Sequence, residues 1–192
     1  MKKLLLLLLI PFVFSCNVSK ELTGAYNMLN CNYSYNSISG LTLSGINVSN
    51  GISVAAIPKI TSILAGTASS IPLNFTLNLN VNNPNQTEAI FNGMQYILSI
   101  DGIQFTSGSV NQTMNIAAGK TQTLPMSIGV DLMQLMNNNS KDAVTNIARN
   151  FIGIGSDKSK VTLKIKPTFM IKDVPVSWPS YIPVEFAFGG KK

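Results

Sequence analysis

The chain has no histidine, two cysteines and few charges: Asp, Glu, Lys and Arg make up 11% of its 192 residues, against roughly 25% in ordinary soluble domains. Without histidine the commonest general base and the commonest metal ligand are missing. Two cysteines, Cys16 and Cys31, are too few for a disulfide framework. The eight acidic residues are scattered, and no pair stands at a spacing that suggests a glycosidase dyad. Asp142, Asp157 and Asp173 lie far apart with no EF-hand spacing. GIGSDKSK (153–160) lacks the second glycine of a phosphate loop. A non-enzymatic chain with no catalytic residues, no metal and no cofactor is expected. The sequence also has no apolar run approaching the ~20 residues that span a bilayer; the one at Leu4–Phe14 is much shorter.

Apolar residues are plentiful, at 45%, enough for one domain with a sizeable core. The polar surface must then be made of neutral groups, and Asn, Ser and Thr are spread through the chain. The formal charge is +6, and it falls by two if Lys2 and Lys3 leave with a signal segment. So small an excess gives no reason to expect a nucleic-acid partner. Lys158, Lys160, Lys164 and Lys166 alternate through a predicted strand start and read as one solvated face.

The N-terminus carries the most specific motif. MKKLLLLLLIPFVFSC has a positive start, an apolar run and a small residue before a cysteine, the layout of a secretory signal over 1–15. Val13-Phe14-Ser15-Cys16 resembles a bacterial lipobox, with Phe14 bulkier than the residue usual at its place. The resemblance implies that Cys16 is the lipid attachment site, diacylated on sulfur and becoming the new N-terminus. Two or more chains anchor a protein stably, at about 0.8 kcal/mol per buried methylene. Residues 16–40 are then expected to be a lipidated tether and a first strand, with little pattern over 17–32. No acidic run follows Cys16, which points to the periplasmic face. Cys31 is left without a partner and is expected to be buried as a small hydrophobe, the other reading being a free thiol.

The body, 41–190, reads as β-structure. LTLSGINV (41–48) alternates as a short strand with Gly45 at a bulge. AIPKITSILAG (56–66) switches to a helical period, with Pro58 in its first turn and Gly66 at its cap. In PLNFTLNLNVNNPNQ (72–86), Leu73, Phe75, Leu77, Leu79 and Val81 fall on one face, and Asn74, Thr76, Asn78, Asn80 and Asn82 on the other. This is a strand despite the usual scarcity of Asn in strands. Asn83-Pro84-Asn85 ends it in a turn, since a residue before proline avoids helix and Asn side chains mimic turn hydrogen bonds. GMQYILSI (93–100) is the next strand, and Asp101-Gly102 signals a two-residue hairpin. IQFTSGSV and SVNQTMNI follow, divided by a turn at Gly108. TQTLPMSIGV (121–130) is a strand whose Pro125 suits an edge. Residues 132–136 make one helical turn, and Ser140 caps a helix ending near Gly153. KVTLKIKPTFMI (160–171) and YIPVEFAF (181–188) are strands joined by a proline-rich loop. Trp178 in that loop is expected to pack over the core end, the other reading being an exposed binding aromatic. Strands at this spacing indicate a mainly β fold, an antiparallel β-sandwich with one or two short helices.

LNFTLNLNVNNPN, MQYILSIDGIQFTSGSV and IAAGKTQTLPMSIGVDL, in that order, resemble the LEA type 2 family, also known for its WHy domain. The resemblance covers about Leu41 to Phe188, and GLTLSGINV resembles the start of lipoprotein members from Gram-negative bacteria. It implies an immunoglobulin- or fibronectin-III-like sandwich and a link to desiccation or stress protection. A helical insertion near 132–152 departs from the family pattern. The functional expectation is a lipid-anchored envelope protein, held by Cys16 at the outer membrane and facing the periplasm. The alternative is a sandwich module that binds a lipid or a partner protein at the membrane.

Overall fold

The structure, a computed structural model, describes residues 15–49, 51–65 and 68–190. The elements run in order as helix α1 (Ser15–Leu29), strands β1 (Asn32–Leu43) and β2 (Ile46–Asn47), helix α2 (Ile57–Leu64), and strands β3 (Pro72–Asn82), β4 (Ala89–Phe91), β5 (Gly93–Ile100), β6 (Ile103–Val110), β7 (Met114–Ile116) and β8 (Thr121–Asp131). Helices α3 (Leu132–Asn138) and α4 (Lys141–Phe151) follow, then strands β9 (Ser159–Ile171), β10 (Val174–Ser177) and β11 (Ile182–Phe188).

Two antiparallel sheets carry the fold. One has the order β2-β1-β3-β8; in the other β9 joins β5 and β6 on one side and β10 and β11 on the other. Apolar faces of both sheets merge into one core, and the sheet edges approach each other at β1 with β11 and at β6 with β8. This is the expected mainly β sandwich. The core face of β3 is the predicted one: Leu73, Leu77, Leu79 and Val81 are fully buried and Phe75 nearly so. Burying each such side chain contributes about 1.5–3 kcal/mol. Asp101 and Gly102 both have positive φ, 49° and 83°, as a two-residue hairpin with right-handed strand twist demands. Pro125 lies on β8, an edge strand, the position to which proline in a sheet is largely confined.

The Asn face of β3 is more than solvated surface. Asn78 Nδ2 donates to Ser37 Oγ and Ser39 Oγ at 3.1 and 3.2 Å. Asn80 Oδ1 accepts from Asn36 Nδ2 and Thr123 Oγ1 at 3.0 and 3.2 Å, and Asn82 Nδ2 donates to Thr121 Oγ1 at 2.9 Å. Neutral amides and hydroxyls thus cross-link β1, β3 and β8 on the outer face.

The predicted helical insertion ties the sheets together at one end. Asp131 caps α3, its carboxylate accepting from Met133 N, and Ser140 Oγ accepts from Ala143 N at the start of α4. Phe151 of α4 meets Phe75 of β3 at 5.3 Å and Phe188 of β11 at 4.7 Å between ring centroids.

Several expectations need correction. Four helices form among the described residues, not one or two. Residues predicted as a patternless tether form α1, because Ala25 and Met28 are buried against the domain and packing supplies what propensity does not. β1 begins at Asn32, and Gly45 lies in a turn to β2 rather than at a bulge. Gly108 lies inside β6, paired with Tyr96, and a Cβ there would stand 2.8 Å from the Tyr96 hydroxyl; the glycine makes room for a cross-strand ring. The proline-rich loop contains β10, a hairpin partner of β9 whose turn residues Lys172 and Asp173 have positive φ. Trp178 is 38% exposed and does not cover the core end. Gly66 lies outside the described residues; Ala65 is the C-cap of α2.

Candidate functional site

Of the lipobox residues, Val13 and Phe14 lie outside the described residues, whereas Ser15 and Cys16 are the first two residues of α1. The other predicted group, Asn83-Pro84-Asn85, is where that helix meets the sandwich. Asn83 is fully buried. Its Nδ2 donates to the carbonyls of Thr87, Ile116 and Ala117 at 2.9, 2.8 and 3.3 Å, and its backbone N donates to Lys120 O at 2.9 Å. Its Oδ1 accepts from the backbone N and the Nδ2 of Asn85 at 3.0 and 2.7 Å. The side chain therefore ties the end of β3 to the turn after β7.

Asn85 extends this network to α1: its Nδ2 donates to Asn27 O at 2.9 Å. Asn27 answers with its own side chain, donating to Thr87 Oγ1 at 2.7 Å and Glu88 O at 2.8 Å. Three of the last carbonyls of α1, which a helix cannot satisfy by itself, gain side-chain donors here. Asn30 Nδ2 reaches Tyr26 O, Cys31 Sγ reaches Asn27 O at 3.4 Å, and Tyr33 Oη reaches Met28 O at 2.9 Å. Burial pushes the Cys31 thiol up from 9.0 to about 11. Burial, and then the neighbouring Cys31, pushes the Tyr33 phenol higher still. Both therefore stay protonated as donors, and Cys31 is the buried small residue expected.

Near its start, α1 lies against β4. Gly24 is needed there, since a Cβ would stand 2.6 Å from Ile90 Cγ1. Lys20 Nζ lies 3.6 Å from Glu88 Oε2, and Glu21 Oε2 accepts from the backbone N of Lys172 at 3.0 Å. A shallow cleft of about 270 Å³ runs beside this seam, lined by Ser19, Lys20, Thr23, Gly24, Thr87, Glu88 and Ile90. Among the described residues no three His, Cys, Asp or Glu side chains gather where a metal ion could be held, and no helix is long and apolar enough to cross a membrane. Sequence reasoning missed Asn27 and Thr87. Their partners lie about 60 positions away in the chain, and no local pattern announces such a pairing.

The arrangement joins an N-terminal helix to the sandwich through side-chain amides. Several solved structures are similar to this chain. A crystal structure of a protein from Archaeoglobus fulgidus shares 18% identity over 83% of this chain and 99% of that one, with a TM-score of 0.41. A solution structure of a protein from Arabidopsis thaliana shares 14% identity over 62% of this chain and 72% of that one, with a TM-score of 0.40. A solution structure of a protein assigned to the late embryogenesis abundant (LEA) group shares 13% identity over 93% of this chain and 86% of that one, with a TM-score of 0.37. No curated protein matches the chain. The family model LEA_2, late embryogenesis abundant protein, matches residues 78–178, from the middle of β3 through β10 and including the Asn83-Pro84-Asn85 node. That match spans more than half of the sequence, and the chain belongs to the LEA_2 family.

Proposed function

We propose that this LEA_2 protein is a lipid-anchored, non-enzymatic protein of the bacterial envelope that helps cells survive drying or osmotic stress. The carrying observation is the order Lys2-Lys3, a short apolar run, then Val13-Phe14-Ser15-Cys16, N-terminal to the family match over 78–178. Diacylated Cys16 holds the chain at the outer membrane with the sandwich in the periplasm. The neutral amide and hydroxyl face over β1, β3 and β8 suits a protective role, because it hydrates strongly and adds no charge. Mass spectrometry of the protein extracted from membranes tests the anchor: the N-terminal peptide should begin at Cys16 and carry acyl chains, and an intact Met1 or a bare Cys16 overturns the reading. Survival of a deletion strain after drying and osmotic shock tests the role; survival equal to that of the parent removes it.

A sandwich that binds a lipid or a partner protein at the membrane is the second reading. What favours it is the exposed apolar surface of β10, with Val174 and Val176 at 59% and 41% exposure.

A further inference from the structure

β10 is unusual within this fold. All four of its residues are exposed, although Val174 and Val176 oppose Ile171 and the buried Phe169 on β9. Residues two apart on a strand share a face, so Val174, Val176 and Trp178 continue the core-facing side of β9 outward into solvent. Trp178 is held in line by its backbone N, which donates to Pro167 O at 2.9 Å. Tyr181, 39% exposed, is on the other face of the sheet, with Lys166 Nζ 5.7 Å from its ring centroid.

The start of α1 is close by. The Glu21 carboxylate touches the tip of the β9–β10 hairpin at Lys172 N. Cys16 precedes Glu21 by five residues of the same helix, about 7.5 Å along its axis at 1.5 Å per residue. Leu22, next to that contact, is also exposed.

We propose that the β9–β10 hairpin, through Val174, Val176 and Trp178, is a second, non-covalent contact with the bilayer that holds the sandwich against the membrane beside its acylated helix end. The inference rests on the lipid anchor at Cys16. The occupant is a lipid interface, because the strip pairs aliphatic side chains with a Trp, which favours the headgroup boundary, and because α1 leaves no free tether between anchor and domain. A second copy adding a strand fits poorly. The hairpin register turns the N–H position of Pro175 outward, so proline removes a donor from an edge only four residues long. At the hairpin tip Lys172 and Asp173 carry opposite charges and Glu21 adjoins them, so the contact is apolar rather than electrostatic.

Trp178 is the sole tryptophan and reports its own surroundings. The full chain, extracted from membranes, is reconstituted into vesicles of phosphatidylethanolamine and phosphatidylglycerol with brominated acyl chains, and the mass of its N-terminal peptide is recorded. An acylated Cys16 with Trp178 emission shifted to the blue and quenched by bromine supports the contact, as does loss of that quenching in a Val174→Ser, Val176→Ser double variant that still floats with the vesicles. Acylated protein that floats with Trp178 unquenched overturns the contact and leaves the anchor standing. Trp178 shielded from aqueous quenchers but untouched by bromine also overturns it, in favour of a protein partner. Protein that neither floats nor carries acyl chains overturns the anchor itself, and the contact with it.

Discussion

Asn83 shows how much one amide can hold. With no exposure, its Nδ2 faces three carbonyls and its Oδ1 serves Asn85. Asn83→Ala leaves those carbonyls without their donor, at about 1–3 kcal/mol. Asn83→Asp is the same size but aims a carboxylate at the carbonyls, and it should be the more damaging of the two. Asn85→Ala should cost about 1 kcal/mol, because the backbone N of residue 85 still reaches Asn83. Urea midpoints are expected to fall in that order, Asn83→Asp lowest; a midpoint for Asn83→Asp at or above that of Asn83→Ala would show that the donor pattern is immaterial. Cys31 gives a second test. Its thiol, raised to about 11 by burial, binds its proton more tightly folded than unfolded. The stability it contributes is present below the ordinary value of 9.0 and is lost as pH climbs toward 11. In a Cys16→Ser chain near neutral pH, alkylation of Cys31 should wait for unfolding; rapid labelling of the folded protein would contradict its burial.

Among the elements, α3 depends on a residue at its end and α1 on one within it. Asp131 closes β8 and caps α3, and it also accepts from Ile71 N at 2.9 Å and Ser70 Oγ at 2.7 Å. The Ile71 N–H, ahead of the other donors, holds its carboxyl below the usual carboxylate range against the opposing effect of burial. The unfolded chain therefore takes up this proton more readily than the folded one. The resulting stability is present above the ordinary carboxylate value and is lost as pH falls through the lower folded value. Asp131→Ala should cost about 1 kcal/mol as a lost cap, and Asp131→Asn, which keeps an acceptor, should cost less and flatten the stability curve in acid. Thermal midpoints across the acid range decide, and a curve unchanged in Asp131→Asn would remove Asp131 as the titrating group. For α1, Gly24→Val drives a branched side chain into Ile90. The expected result is faster proteolysis within 15–31 while the sheets stay folded, read by limited digestion with mass spectrometry; full protection of α1 would contradict the close approach.

For the molecule as a whole, the core between the sheets decides whether anything folds. Leu77→Asp places a charge where exposure is zero and should abolish cooperative unfolding. Asn78→Thr, on the outer face, forfeits only the bonds to Ser37 and Ser39 and should cost at most about 1 kcal/mol. Similar thermal midpoints for the two would refute the assigned faces. Phe151 carries the same logic to the insertion: Phe151→Ala removes the ring shared by Phe75 and Phe188 and should cost about 3–5 kcal/mol. Much of this layout was legible beforehand. β3, β5, β8, β9 and β11 announce themselves by alternation, Asp101-Gly102 by its turn chemistry, and α4 by Ser140 and its apolar spacing. What stayed hidden depended on partners distant in the chain. α1 has a sequence no better than a linker until Ile90, Thr87 and Asn85 are placed against it. Gly108 reads as a turn until Tyr96 lies across it. β10 reads as a loop because prolines obscure a hairpin whose turn is Lys172-Asp173.

The sequence by itself determined the mainly β sandwich, the two faces of its strands and the family, because strand alternation and turn chemistry act over a few residues and leave a local trace. Tertiary structure alone decided that Asn83 is buried and bonded across to the turn after β7, that the segment after Cys16 is a docked helix, and that Trp178 is partly exposed. Each of these depends on groups far apart in the chain, which become neighbours only after the core has formed.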